Sequence, residues 1–271
     1  MFQAYSGRDA TGSSYLWSIV RTPFRSVRLM TRPSYIQRFA PQAELFPRVR
    51  EGLRYVVVEG VIGAGKTTLA REVARRFGGR LVLERFEENP FLERFYEDPE
   101  RWAFQTQLSF LADRFKQQKE LAEEDLFHPF TVSDYSFDKD RIFARLTLSG
   151  DDLQLYETMF AIMQPSTRTP DLVVYLQSTP ERLMQNIARR GRAMEATMDP
   201  AYIARLHEAY TQYFKGYTKT PLLVVQAAQA DFVANPVHLE RIVDAICDGP
   251  LDGTRILDPI LDPKAVPTEV S

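Results

Sequence analysis

Between the β-branched run Tyr55-Val56-Val57-Val58-Glu59 and an amphipathic stretch beginning at Thr67 stands the octapeptide Gly60-Val61-Ile62-Gly63-Ala64-Gly65-Lys66-Thr67. This is the GxxxxGK[ST] pattern in the setting it needs, directly after a strand and at the opening of a helix. Backbone N–H groups of such a turn, and of the helix N-terminus behind it, converge on phosphate oxygens. Glycine is needed because a side chain would block the phosphate's approach. The pattern predicts that Gly60 through Thr68 wrap a nucleoside triphosphate. It also predicts that Lys66 reaches the β- and γ-phosphates and that the Thr67 hydroxyl holds Mg²⁺. It leaves the reaction open, since GTPases, motors and many kinases share it; the NKxD signature of a GTPase is missing from the sequence.

The surrounding chain alternates two kinds of segment. Apolar, β-branched runs at 54–59, 80–84, 130–134, 171–177 and 222–226 read as buried strands. Helical patterns are expected at 66–77, 100–124, 136–147, 151–163, 180–189, 200–215 and 236–247. Gly78-Gly79 ends the first of these and Pro99 stands at the start of the second. Such alternation implies an α/β fold, a five-stranded parallel sheet with helices on both faces. Residues 1–52 show no sustained period and are expected to form a disordered basic extension: a leader, an arm or a targeting segment. The domain is expected over 53–248, and 249–271, rich in Pro and Asp, is expected to be a loose tail.

Charge and composition exclude other classes. The 271 residues carry 34 basic and 36 acidic side chains, a net charge of −2, which offers nucleic acid no electrostatic attraction. Eight arginines against Asp9 and Glu44 fall within residues 1–50, so the remainder is distinctly acidic. Cys247 is the single cysteine, which excludes a disulfide framework. No apolar run approaches the roughly 20 residues needed to span a bilayer. His128, His207 and His238 stand in no metal-ligand spacing.

Two carboxylates are expected beside the phosphate loop. Glu84 and Asp134 end the predicted strands 80–84 and 130–134, and open parallel sheets bind ligands at the carboxyl ends of their strands. One would orient a substrate hydroxyl and the other would help hold Mg²⁺. The residues alone leave the assignment open, with Glu84 favoured as base and Asp134 joining Thr67 at the metal. Arg190 and Arg192 follow helix 180–189, where they either clamp phosphate or complement the helix dipole.

Taken together, the phosphate loop, Glu84, the stretch Tyr96–Arg114, Ser133-Asp134-Tyr135-Ser136, Asp140-Arg141, Arg190-Gly191-Arg192 and Asp231-Phe232 give the chain a resemblance. From about Tyr55 to Phe232 it resembles the deoxynucleoside kinase family, and over Glu87–Ala144 the bacterial branch of that family. The resemblance implies a P-loop kinase fold with a short Arg-rich lid, in a cytoplasmic homodimer. It implies ATP-dependent, Mg²⁺-requiring phosphorylation of a deoxynucleoside 5′-hydroxyl. Glu84 would contact that hydroxyl. Tyr96, with Glu195, would meet the 3′-hydroxyl. Gln107, Arg114 and Asp140 would read the base, Tyr135 would stand among the substrate contacts, and Arg190 and Arg192 would clamp the transferred group. Asp231 and Phe232 would flank the donor adenine. Two positions depart from the family pattern: Tyr135 and Asn186 stand where arginines are often found, and Arg189 is the nearest replacement for the second.

Asp140 accepts hydrogen bonds and Arg114 donates them, which suits a base carrying both an amino group and a ring acceptor. A purine deoxynucleoside, with deoxycytidine next, is therefore expected over thymidine. The rival readings are a kinase of nucleoside monophosphates, which would need a second phosphate site, and a nucleotide-binding accessory subunit on the same fold.

Overall fold

The computed structural model describes residues 36–38, 50–122, 130–196, 198–249 and 252–261. Tyr55–Gly60 (β2) is buried at every position, as its uninterrupted apolar run requires. It lies at the centre of a seven-stranded sheet with β1 (Ile36–Arg38), β3 (Arg80–Val82), β4 (Thr131–Ser133), β5 (Leu172–Gln177), β6 (Leu222–Gln226) and β7 (Thr254–Leu257), in the order β1-β3-β4-β2-β5-β6-β7. All neighbours pair in parallel except β1, which runs antiparallel to β3 with Ile36 opposite Val82.

The five expected strands are present at the sheet's centre, and one more is added at each edge. The parallel count is six rather than five. β7 lies within the stretch expected to be a loose tail, and Thr254, Arg255 and Ile256 are exposed. Such a strand is held by backbone pairing along β6, from Leu222–Thr254 to Val225–Leu257, so it has no burial pattern to read in the sequence. β1 likewise falls inside the expected basic extension; the rest of that extension, apart from residues 50–52, lies outside the described residues, as do 262–271 of the tail.

Eight α-helices are described: α1 (Lys66–Phe77), α2 (Leu92–Glu97), α3 (Pro99–Ala122), α4 (Lys139–Thr147), α5 (Gly150–Met163), α6 (Pro180–Arg190), α7 (Pro200–Lys215) and α8 (Pro236–Asp248). Three share one start signal, a capping side chain followed by proline. Thr179, Asp199 and Asn235 accept from the N–H groups of Arg182, Ala201 and Val237. α4 begins three residues later than its periodicity suggests. Residues 136–138 form a turn instead, closed by the Lys139 N–H donating to the Ser136 carbonyl at 3.3 Å and hydroxyl at 3.2 Å.

One apolar core joins the sheet to its helices, with Val56, Val58, Leu69, Val73, Val174 and Ile246 wholly buried. A second forms among α2–α5 around Leu111, Phe137, Tyr156 and Phe160, the rings of Phe137 and Phe160 stacked at 4.9 Å. This second core sets α3 beside the carboxyl end of β3, where the Gln117 amide donates to the Leu83 carbonyl at 3.0 Å. β2 is flanked by β4 on one side and β5 on the other. The strand order reverses there, which is where parallel sheets open a crevice.

Candidate active site

The phosphate loop leaves β2 at Gly60 and enters α1 through Gly65, which has φ +92° and gives the helix no side-chain cap. The first-turn N–H groups are thus left for an anion. Two glycines are required by space as well as by conformation. A Cβ on Gly63 (φ +86°) would lie 2.7 Å from the Leu183 carbonyl oxygen, and one on Gly65 would lie 2.8 Å from the Phe232 ring. The Lys66 ammonium folds over the loop and donates to the carbonyls of Gly60 at 2.8 Å and Val61 at 3.0 Å. Burial, and next the nearby Lys139 charge, push its pKa down to about 8.

Asp134 follows β4 and joins the loop to the second carboxylate. It accepts from the Thr67 hydroxyl at 2.5 Å and from the Glu84 N–H at 2.8 Å. Burial raises its pKa. Thr67 and Asp134 supply two hard oxygen donors side by side, a set that fits Mg²⁺ completed by water and phosphate oxygens. Among the described residues no cluster of three or more His, Cys, Asp or Glu could cage a metal by itself, so an ion here would depend on bound phosphate.

Glu84 projects from the end of β3 between two cations. Its carboxylate accepts from Lys139 Nζ at 2.5 Å and from the Arg114 guanidinium. Burial alone would raise its pKa, but Lys139 and Arg114 override that and hold the carboxyl well below the usual carboxylate range. It is therefore ionised at neutral pH, ready to accept a hydroxyl proton's hydrogen bond.

Two clefts meet at this point. One, of about 820 Å³, runs from Lys66, Thr67, Glu84 and Asp134 to Tyr96, Gln107, Phe110 and Arg114. The other, of about 1110 Å³, runs along the phosphate loop to Arg182, Asn186, Asp231 and Phe232. Gly63, Lys66, Thr67, Arg190 and Arg192 line both. Arg190 pairs with Glu195 at 2.5 Å and Arg192 stands 3.5 Å from the same carboxylate. Arg192 also lies over the Phe86 ring at 4.1 Å. Asn186 donates to the Gly63 carbonyl at 2.9 Å and accepts from Arg189 at 2.7 Å, so Arg189 is tethered beside the loop.

Most of the sequence-predicted residues therefore converge: Lys66, Thr67, Glu84, Tyr96, Gln107, Arg114, Asp134, Arg190, Arg192 and Glu195 line the first cleft, and Thr68, Asp231 and Phe232 the second. Four do not reach a cleft wall: Gly60 and Val61, buried where the loop leaves β2, and Asp140 and Tyr135. Asp140 is fully buried behind Arg114, with which it pairs. Tyr135 is fully buried too, its ring 5.8 Å from the Arg114 guanidinium. Gln107 donates to the Thr147 hydroxyl at 3.2 Å. Sequence reasoning missed Lys139, which lines the first cleft, and Glu59. Glu59 sits buried in β2 and accepts from the Ser136 N–H at 2.5 Å, pinning the turn before α4. An acid inside an otherwise apolar strand was the available signal for Glu59. Lys139 carried none, since it stands in an ordinary charged helix start.

The chain is similar to known proteins in sequence and in fold. A family model described as deoxynucleoside kinase matches residues 56–249. The deoxyadenosine/deoxycytidine kinase of Bacillus subtilis is 35% identical over 199 residues, covering 70% of this chain and 90% of that protein. The deoxyguanosine kinase of the same organism is 32% identical over 193 residues, covering 69% and 93%. Among solved structures, deoxyadenosine kinase from M. mycoides with bound dATP aligns with a TM-score of 0.63 at 25% identity, covering 71% of this chain and 98% of that one.

Proposed function

The chain belongs to the deoxynucleoside kinase family, and from that premise we propose that it transfers the γ-phosphoryl group of ATP, with Mg²⁺, to the 5′-hydroxyl of a deoxynucleoside, a purine by preference. The observation that carries this reading is the meeting of two clefts at Lys66, Thr67, Arg190 and Arg192. Donor and acceptor would enter from opposite sides and face each other across the transferred group, which is what in-line phosphoryl transfer requires. The kinase domain is assigned to 53–248, with β1 and β7 added at the two edges of its sheet. A cytoplasmic homodimer remains part of the proposal on the family resemblance. Leu155 and Ile162, 50% and 73% exposed on α5, support a self-associating face. Among the described residues no helix is long and apolar enough to cross a membrane.

In this reading the triphosphate lies along 60–68, with its adenine near Asp231 and Phe232. The N–H groups of α1 and the Lys66 ammonium take the phosphates. Thr67 and Asp134 would hold Mg²⁺, which supplies charge neutralisation between the phosphates. The deoxyribose lies in the first cleft, its 5′-hydroxyl on Glu84 and its 3′-hydroxyl between Tyr96 and Glu195. The base faces Gln107 and Arg114. Asp140 and Tyr135 act on it through Arg114, one as a charged partner and one as packing. The arrangement of an acceptor behind a donor still favours a base with both kinds of edge. The deoxyadenosine, deoxycytidine and deoxyguanosine kinases among the relatives support the same preference.

Product formation from ATP·Mg²⁺ with each of the four deoxynucleosides, and separately with their monophosphates, tests the reading. Monophosphate products ranked with a purine first and thymidine last are expected; phosphorylation of monophosphates alone would overturn it.

The lid allows a sharper test. Glu195 holds both arginines. Binding of ATP would draw them to the phosphates and release the carboxylate to the 3′-hydroxyl. Glu195→Ala is expected to raise KM for the deoxynucleoside by about tenfold, the value of one hydrogen bond to a charged group. KM for ATP should stay level or fall, because the arginines no longer leave a partner. Steady-state kinetics with each substrate varied in turn will separate the two constants.

A further inference from the structure

The roles assigned above leave one buried charge in the site unused. Lys139, the first residue of α4, has a side chain only 5% exposed, and it lines the acceptor cleft beside Lys66, Glu84 and Asp134. Its backbone N–H is anchored to Ser136. Its stem passes the Phe143 ring, with Nζ 5.4 Å from the ring centre, and the ammonium ends 2.5 Å from Glu84. A lysine is seldom this buried unless paired. Yet Glu84 already has a cationic partner in Arg114, which bridges it to Asp140. An ammonium has three N–H donors, and among the described residues that of Lys139 is hydrogen-bonded to Glu84 alone. Meanwhile position 135, where an arginine would be expected, holds a tyrosine that is wholly buried and absent from the cleft wall.

Resting on the kinase reading above, we propose that Lys139 is a further catalytic cation of this protein, positioning Glu84 with one N–H and donating another to the phosphoryl group as it passes to the 5′-oxygen. The lysine gives up no proton. The hydroxyl proton goes to Glu84, the bond from the γ-phosphorus to its bridging oxygen breaks as the new P–O bond to the 5′-oxygen forms, and the leaving diphosphate carries the electron pair. Lys139 meets the charge on the equatorial oxygens, on the acceptor side, while Lys66 meets it from the loop. An ammonium already buried and fixed on Glu84 requires little reorganisation to do this.

The test compares Lys139→Met, which keeps length without charge, with Lys139→Arg and Lys139→Ala. For Lys139→Met, kcat is expected to fall by about 100-fold or more, with calorimetric affinities for ATP and for the deoxynucleoside within about threefold of wild type. Lys139→Arg is expected to regain most of the loss. Propylammonium added to Lys139→Ala is expected to restore part of kcat, and sodium at equal ionic strength none. This rescue also serves if the methionine variant fails to fold, since the ion refills both volume and charge. Combining Lys139→Met with Glu84→Gln separates the two contacts: losses that multiply place the lysine on the phosphoryl group. A double variant no slower than Glu84→Gln alone would overturn that contact, and a kcat within about threefold of wild type in Lys139→Met would overturn the proposal entirely. Wild-type turnover, measured first, keeps these outcomes apart from a failure of the kinase reading.

Discussion

Glu84→Gln is expected to lower kcat by about 10³-fold while leaving ATP affinity within about twofold of wild type. The carboxylate sits at the end of β3, facing the acceptor cleft, and ATP is assigned to the other cleft, so only the acceptor's hydroxyl loses its proton acceptor. Glutamine keeps the shape and one acceptor oxygen but not the charge. The same change removes the shared anionic partner of Arg114 and Lys139. Stripping one member from a buried ion pair costs about 3–5 kcal/mol, so the variant should melt lower at pH 7. The pH dependence has a definite sign. The folded-state pKa of Glu84 is depressed below its unfolded value, so its contribution to stability is fully present above about pH 4.3 and is lost as pH falls through the folded value. The gap in Tm between wild type and variant should therefore begin to close below about pH 4. Single-turnover kinetics, ATP titration and thermal melts at several pH values check the three parts. Near-normal turnover would remove Glu84 from the mechanism.

Lys66→Ala has the second largest expected effect, a fall in kcat/KM for ATP of about 10²–10³-fold. The ammonium already bridges the Gly60 and Val61 carbonyls, holding it over the loop. ATP binding would exchange those neutral acceptors for phosphate oxygens, a charge-assisted contact roughly twice as strong. The alanine variant loses that attraction where phosphate charge is greatest. Direct binding of the deoxynucleoside should change little, because its assigned contacts from Tyr96 to Arg114 lie on α2 and α3. Equilibrium dialysis of each ligand, beside the kinetics, distinguishes this pattern from a general loss of structure, in which both affinities would fall.

How much of this was legible before folding follows from what each feature depends on. The phosphate loop was fully legible: a tight glycine turn between a buried strand and a helix is a local device, and eight consecutive residues specify it. The central strands were legible for a related reason. A strand covered on both faces must be apolar throughout, as β2 and β5 are. Glu84 and Asp134 could be placed because strand ends were visible, and strand ends are where such sheets bind ligands. The edge strands β1 and β7 could not, since backbone pairing holds them and backbone pairing leaves no mark on side-chain pattern.

The distribution of roles within the cleft belonged to tertiary structure alone. Asp140 stands behind Arg114 rather than in the cleft because the second core turns α4 that way. Lys139 enters the site because the Ser136 turn, pinned to β2 by Glu59, makes it the first residue of α4, with its ammonium on Glu84. The P-loop sheet, the phosphate cradle and the two carboxylates at its edge could be read from the residues, because local geometry and burial specify them. Which cation stands against which carboxylate was decided only by the tertiary structure, because such pairings depend on helix rotations that packing between distant segments sets.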